Sequence, residues 1–274
     1  MSKGTDAMRD VYSKLEWAEK HLADLMDLGQ DYLRPGGGDE RPLGIRFNDR
    51  HPPLVIASFI VEKPMPVEMS LHAGDLVHNA RTALDHVLAR LKDHFGGDTR
   101  SGTFPITESD ADWKGRVYPR RDGKRQRGPV DGLPCSARTL IYREQPHVAY
   151  AGRREEDPVV ILSAMDNSDK HRLLHHGFAY PTAERGLDLI EVCDRKRVLS
   201  QTNVWTSGQP IEHGTVMARY IIRGVAKGVI RVDPNVEVKL ATGPLDAPRT
   251  TYEDMIVRVR IIADKAAELI DAQR

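Results

Sequence analysis

The sequence predicts an α+β fold: a helical bundle with an antiparallel β element inserted ahead of the C-terminal helix. Three observations predict it. Residues 7–33, 67–95 and 250–274 each repeat apolar residues at spacings of three and four, so each is a helix with one apolar face that needs the others to bury it. Between Leu187 and Leu240 the pattern changes to β-branched runs separated by turns bearing Gly or Pro. No repeat or low-complexity tract interrupts the chain. One domain is expected, with a mainly helical part over 1–180 carrying one early strand, a β-rich insert over 181–249, and a helix over 250–274 that returns to the bundle.

The first helix places Val11, Leu15, Ala18, Leu22, Leu25 and Tyr32 on one side, with Thr5 or Asp6 as its cap, and Pro35 with the three following glycines stops it. Leu54–Val61 is β-branched and aromatic between Pro53 and Pro64 and reads as a strand. A long helix then runs from Val67 to Phe95 and ends at Gly96 and Gly97. Ser109 caps a short helix around Trp113. Asp157 before Pro158 opens a helix through Met165, with Asp166–Ser168 interrupting before a second helical stretch from Asp169 to His176. Strands are expected at Leu187–Val192, Val216–Ile222 and Val229–Leu240. Thr250 and Glu253 form a capping box for the last helix, whose apolar face carries Met255, Ile256, Val259, Ile262, Ala266, Leu269 and Ile270.

Composition narrows the function classes. The 274 residues include 40 basic and 40 acidic side chains, so no global field draws the protein to nucleic acid or a membrane. Two cysteines, Cys135 and Cys193, without a CxxC pair, point to a reducing compartment and no disulfide framework. The N-terminus lacks a basic-then-apolar signal and no apolar run reaches the length of a membrane span. A soluble, cytoplasmic protein that needs no cofactor is expected. No Gly-rich phosphate loop or Gly-x-Ser-x-Gly elbow occurs, and neither cysteine has a histidine near it in sequence.

The most informative segment is the helix over 67–95. Beside its apolar positions Leu76, Ala80, Ala83, Leu84, Val87 and Leu91 runs a polar row of His72, Asp75, Asn79, Thr82 and His86. His78, Arg81 and Asp85 occupy the other flank. Such a stripe can bind an anion, a metal or a partner helix. It also fits a satisfied polar network that merely holds the bundle.

Arg81-x4-His86 on a helix of a bundle resembles the HEPN superfamily, whose nuclease members carry an Arg-x4–6-His motif at a dimer interface and cleave RNA without metal. Arg46-x4-His51 is a second match to the same string, in what reads as a loop flanked by prolines. The resemblance implies a metal-independent ribonuclease or RNA-binding protein of a phage-defence or toxin type, acting on RNA as a homodimer. His86 would then be the acid or base, Arg81 would hold the scissile phosphate, and Asn79 and Asp85 would orient the pair. Two residues five apart on a helix are offset by about 140°, so a two-fold dimer is the natural way to bring such edges together. The wider pattern His78-Asn-x-Arg-x-x-Leu-Asp-His86, Phe104-Pro-Ile106, Gln145-Pro146 and Asp166-x-x-Asp-Lys-His-Arg172 is similar to a widespread set of uncharacterised bacterial and phage proteins with these elements in this order. That likeness implies no reaction type.

Two further groups are candidates. Lys170, His171 and Arg172, at the head of a helix capped by Asp169, would extend an anion site or pair with Asp75 or Asp85. His171 and His175, four apart, could join His72, Asp75 or His86 in a metal-dependent hydrolase. Residues 114–128 hold seven cations against one aspartate and read as a mobile basic loop, in which Arg120, Arg121, Lys124 and Arg125 would contact phosphates. RNA and a second copy of the chain are the expected partners, and a membrane is not. The rival expectation is a scaffold or binding protein in which the stripe is a structural network.

Overall fold

The computed structural model describes residues 2–33, 43–98, 102–121, 124–169, 178–181, 190–204, 213–224, 227–232, 238–241 and 251–273. Lys170, His171, Arg172 and His175 lie outside the described residues, as do the stop at Pro35 and the first residues of the strand expected from Leu187. In chain order the elements are α1 (Lys3–Ala7), α2 (Arg9–Leu33), β1 (Leu43–His51), β2 (Leu54–Val61), α3 (Val67–Phe95), α4 (Asp110–Val117), β3 (Arg120–Arg121) and β4 (Lys124–Arg125). Then follow α5 (Cys135–Arg143), α6 (Pro146–Ala149), α7 (Pro158–Asp169), β5 (Phe178–Pro181), β6 (Ile190–Val192), β7 (Val198–Asn203), β8 (Val216–Ile222), β9 (Ile230–Val232), β10 (Val238–Ala241) and α8 (Tyr252–Ala272). The fold is α+β. No described helix is long and apolar enough to cross a membrane.

The chain divides into two compact units, one of Met1–Leu25, Ser70–His175 and Arg249–Arg274, the other of Met26–Met69 and His176–Pro248. The one-domain reading placed Leu54–Val61 with the helices. In the folded chain β2 sits inside the sheet β1-β2-β8-β7, all neighbours antiparallel, so residues 43–61 belong with the β unit. Its core is Val55, Ala57 and Phe59 of β2, alternating as a strand with one buried face must, with Met217, Ala218, Tyr220 and Ile222 of β8. Met217 and Ala218 are both buried because a bulge opposite Ala57 and Ser58 shifts the pairing there.

The helical unit is built on the periodicities read above. Val11, Leu15 and Ala18 of α2, Leu76, Ala80, Leu84, Val87 and Leu91 of α3, and Met255, Val259, Ile262 and Ala266 of α8 are buried almost completely. Each large apolar side chain so removed from water contributes about 1.5–3 kcal/mol. The chain start departs from the expectation: Ser2, not Thr5 or Asp6, caps the short α1, and α2 begins afresh at Arg9. Gly4 is required where α1 meets α8, since a Cβ there would run into the Ala267 carbonyl oxygen. The capping box of α8 is Thr251 with Asp254, one residue beyond the expected pair.

Three other expectations are corrected. The helix from Pro158 continues unbroken through Asp166–Ser168 to Asp169, and the rest of the stretch expected as far as His176 lies outside the described residues. Residues 114–128 are not a loop throughout: α4 runs to Val117, and β3 and β4 form a hairpin. Arg46 and His51 lie in β1, an edge strand of the sheet and not an irregular loop.

A buried ionic network holds the end of α5, the start of α7 and the side of α8. Arg258 on α8 donates to Glu144 Oε2 at 2.6 Å and to the Glu144 carbonyl, and lies 3.4 Å from Asp157 Oδ1. Lys265 donates to Glu144 Oε1 at 2.6 Å. Asp157 also accepts from the Val159 N–H, which makes it the N-terminal cap the sequence indicated.

Candidate functional site: the two polar flanks of α3

Along α3 the core face is continuous, and the polar residues fall on its two edges as the spacing dictates. One edge meets α2 at intervals of seven residues. His72 faces His21 and Asp24, Asn79 accepts from Lys14 Nζ at 3.2 Å, and His86 Nδ1 lies 2.9 Å from Asp10 Oδ2, out of line for a hydrogen bond. Arg90 completes this edge with a two-pronged contact, both nitrogens 2.9 Å from the Asp10 carboxylate oxygens. Burial pushes the Asp10 carboxyl up, but the Arg90 hydrogen bonds and charge outweigh it and hold the group below its ordinary value. A cleft of about 650 Å³ opens here between His86, Arg90, Asp10 and the half-exposed Trp17.

The other edge meets a different part of the unit. Arg81 Nη2 donates to Asp85 Oδ1 at 2.7 Å and to the Phe104 carbonyl at 3.1 Å, while Asp85 Oδ1 accepts from the Phe104 N–H at 2.8 Å. The pair therefore clips the segment at Phe104 to α3. Three residues on, Gln145 holds the same segment. Its Oε1 accepts from both the backbone N–H and the hydroxyl of Thr107, and its Nε2 donates to the Ile141 carbonyl. His78 Nδ1 lies 3.6 Å from the buried Asp166. Burial raises the Asp85 carboxyl above its ordinary value, Arg81 and the Phe104 N–H offset only part of this, and the nearby Asp166 adds to the rise.

Arg81, Asp85, Phe104, Arg116, Arg127, Ser163 and Asp166 are among the residues that line a cleft of about 760 Å³. Arg81 Nη1 is buried beside it without a hydrogen-bond partner among the described residues. Arg116, Arg127 and Gly128, which flank the basic hairpin in sequence, line this cleft, and the hairpin is closed at its base by the Gln126 N–H on the Pro119 carbonyl. Gly128 allows that closure, because a Cβ there would meet the Val117 carbonyl oxygen. The hairpin register pairs Arg120 with Arg125 and Arg121 with Lys124, cation opposite cation at both rungs.

Of the residues singled out from sequence, Arg81 and Asp85 come together and His86 and Asn79 do not join them. Arg81 and His86 sit on opposite flanks, as their angular offset requires. Asn79 bonds Lys14 and the Asp75 carbonyl, so it does not orient Arg81. Asp75 is exposed and takes no part in the group formed by His72. The sequence reading missed Asp10, Lys14, His21 and Asp24, although they recur at spacings of four, seven and three beside the apolar face of α2, the same signal that exposed the α3 stripe.

Asp85→Asn is expected to cost about 1–3 kcal/mol, because it leaves the part-buried Arg81 guanidinium without a carboxylate and replaces its charge-assisted bond by a weaker neutral one. A lower urea midpoint with an unchanged slope checks it. No protein-family model, curated protein or solved structure matches the chain.

Proposed function

We propose that the protein binds RNA, with the β3–β4 hairpin and the adjoining cleft taking the phosphate backbone. In this reading the Arg81–Asp85 pair and the Gln145 contacts hold the cleft wall. The observation that carries it is the hairpin register. By register a cationic residue stands opposite a cationic residue at both rungs, a placement that disfavours a ladder, and the exposed Arg127 follows it in the chain. A polyanion relieves the conflict and gains released counterions in doing so. Titration of a labelled single-stranded RNA over a range of salt tests the reading. Contacts from the four hairpin cations give a slope of log affinity on log salt of about −2.8 or steeper. No binding at low salt contradicts it.

A second reading, a metal-independent ribonuclease of HEPN-like type acting as a homodimer, is favoured by Arg81 Nη1, buried at the cleft without a partner among the described residues. Since one chain parts Arg81 from His86, that chemistry requires a second copy to supply the histidine. Cleavage of the bound RNA in EDTA, abolished in both His86→Ala and Arg81→Lys, would establish it. Binding without cleavage is the outcome the first reading expects.

A further inference from the structure

We infer that His21 and Asp24 of α2 together with His72 of α3 form a binding site for a borderline divalent transition metal, zinc or a neighbour such as cobalt, nickel or copper. Among the described residues one group of three brings metal-ligating atoms together, and it is this one, with one ligand atom from each residue within 4.8 Å of the other two. The two imidazole Nδ1 atoms face each other 3.2 Å apart, and His72 Nδ1 lies 3.8 Å from Asp24 Oδ2. Two nitrogens bound at about 2.0–2.1 Å to a tetrahedral ion lie about 3.3 Å apart, so the histidine pair already spans one edge of such a shell. Asp24 closes the second edge by moving in about half an ångström, well within the freedom of a half-exposed carboxylate at that coordination distance.

The donor set selects the class of ion. Two imidazoles and one carboxylate suit zinc and its neighbours, whereas magnesium and calcium take oxygen donors. Three protein ligands leave a tetrahedral ion one open position, for water or an incoming donor group. With the metal on both Nδ1 atoms, each ring carries its proton on Nε2, and the facing nitrogens no longer need opposite tautomers. His21 and Asp24 are three apart on one helix face and His72 belongs to the facing helix, so the ion joins α2 to α3. Binding to the folded state then raises its stability.

The Trp17 ring lies 6.1 Å from that of His21 and supplies a local probe. Untagged full-length protein, stripped with EDTA and desalted, is titrated with zinc, cobalt and nickel. The inference expects one equivalent bound, the visible absorption of tetrahedral cobalt, quenching of Trp17 fluorescence by nickel, and a thermal midpoint that rises with zinc. In His21→Gln and His72→Gln these responses weaken by at least the ~10–100-fold that loss of a ligand's supporting partner costs. Both variants must match the metal-free wild type in circular dichroism and thermal midpoint. If one does not, Asp24→Asn serves in its place. A wild-type protein without zinc-dependent stabilisation overturns the inference. Equal stabilisation of wild type and variants also overturns it, since the ion would then sit elsewhere.

Discussion

Arg258→Ala is expected to destabilise the helical unit by about 3–5 kcal/mol, the cost of breaking a buried ion pair from one side. The side chains of Arg258, Glu144 and Asp157 are 7%, 5% and 0% exposed, so removing the cation strands two carboxylates away from water. Lys265 still reaches Glu144, but Asp157 keeps only the Val159 N–H. The pH dependence follows from the two carboxyls. Burial pushes Glu144 up, yet hydrogen bonds from Lys265 and Arg258 hold it below its ordinary 4.5, so its contribution is full above that value and fades as pH falls through the depressed folded one. Burial keeps Asp157 above its ordinary 3.8 despite Val159 and Arg258, so its ionisation opposes folding and protonation relieves it. The two trends oppose each other in the wild type. In Arg258→Ala both carboxyls lose support for the charged form, and the penalty should therefore shrink between pH 7 and pH 4. Urea unfolding at the two pH values checks this, and a penalty that grows on acidification would contradict the assignment.

None of that network was legible in the sequence. Arg258 sits between Val257 and Val259 on an amphipathic helix, where an arginine reads as a solvent-facing residue. Its partners lie 114 and 101 residues away in the chain, and only tertiary packing brings them together. The long helices α2, α3 and α8 were legible because their apolar positions repeat over five or more turns. Strand β1 was not, because as an edge strand it leaves Arg46, Asn48 and Arg50 in water and offers Ile45 and Phe47 as its inward apolar residues. The same contrast holds at the site. Arg81 and Asp85 are four apart on one helix, so their pairing could be read directly. The meeting of His86 with Asp10 depends on how α2 passes α3, which spacing along α3 alone does not determine.

Several of the sequence elements at 78–86, 104–106, 145–146 and 166 acquire a physical role. Arg81 and Asp85 grip Phe104, Gln145 grips Thr107, and His78 approaches Asp166. Residues scattered over some ninety positions thus hold one wall of the 760 Å³ cleft.

Replacing Arg120, Arg121, Lys124 and Arg125 together by glutamine is expected to lower RNA affinity on the order of 10²–10³-fold at 0.1 M salt. Each lost phosphate contact on a single strand removes about 0.7 from the salt slope, and the four together account for about 2.8 logarithmic units per decade of salt below 1 M. Stability should not fall, because the substitution removes two like-charge rungs from a two-residue ladder.

The salt slope of RNA binding, measured in parallel for wild type and this four-residue variant, tests the central claim most directly. The account predicts a wild-type slope of about −2.8 or steeper, with about 2.8 units lost in a variant that unfolds at an equal or higher temperature. Equal slopes and affinities for the two proteins would contradict it and remove the hairpin from the interface.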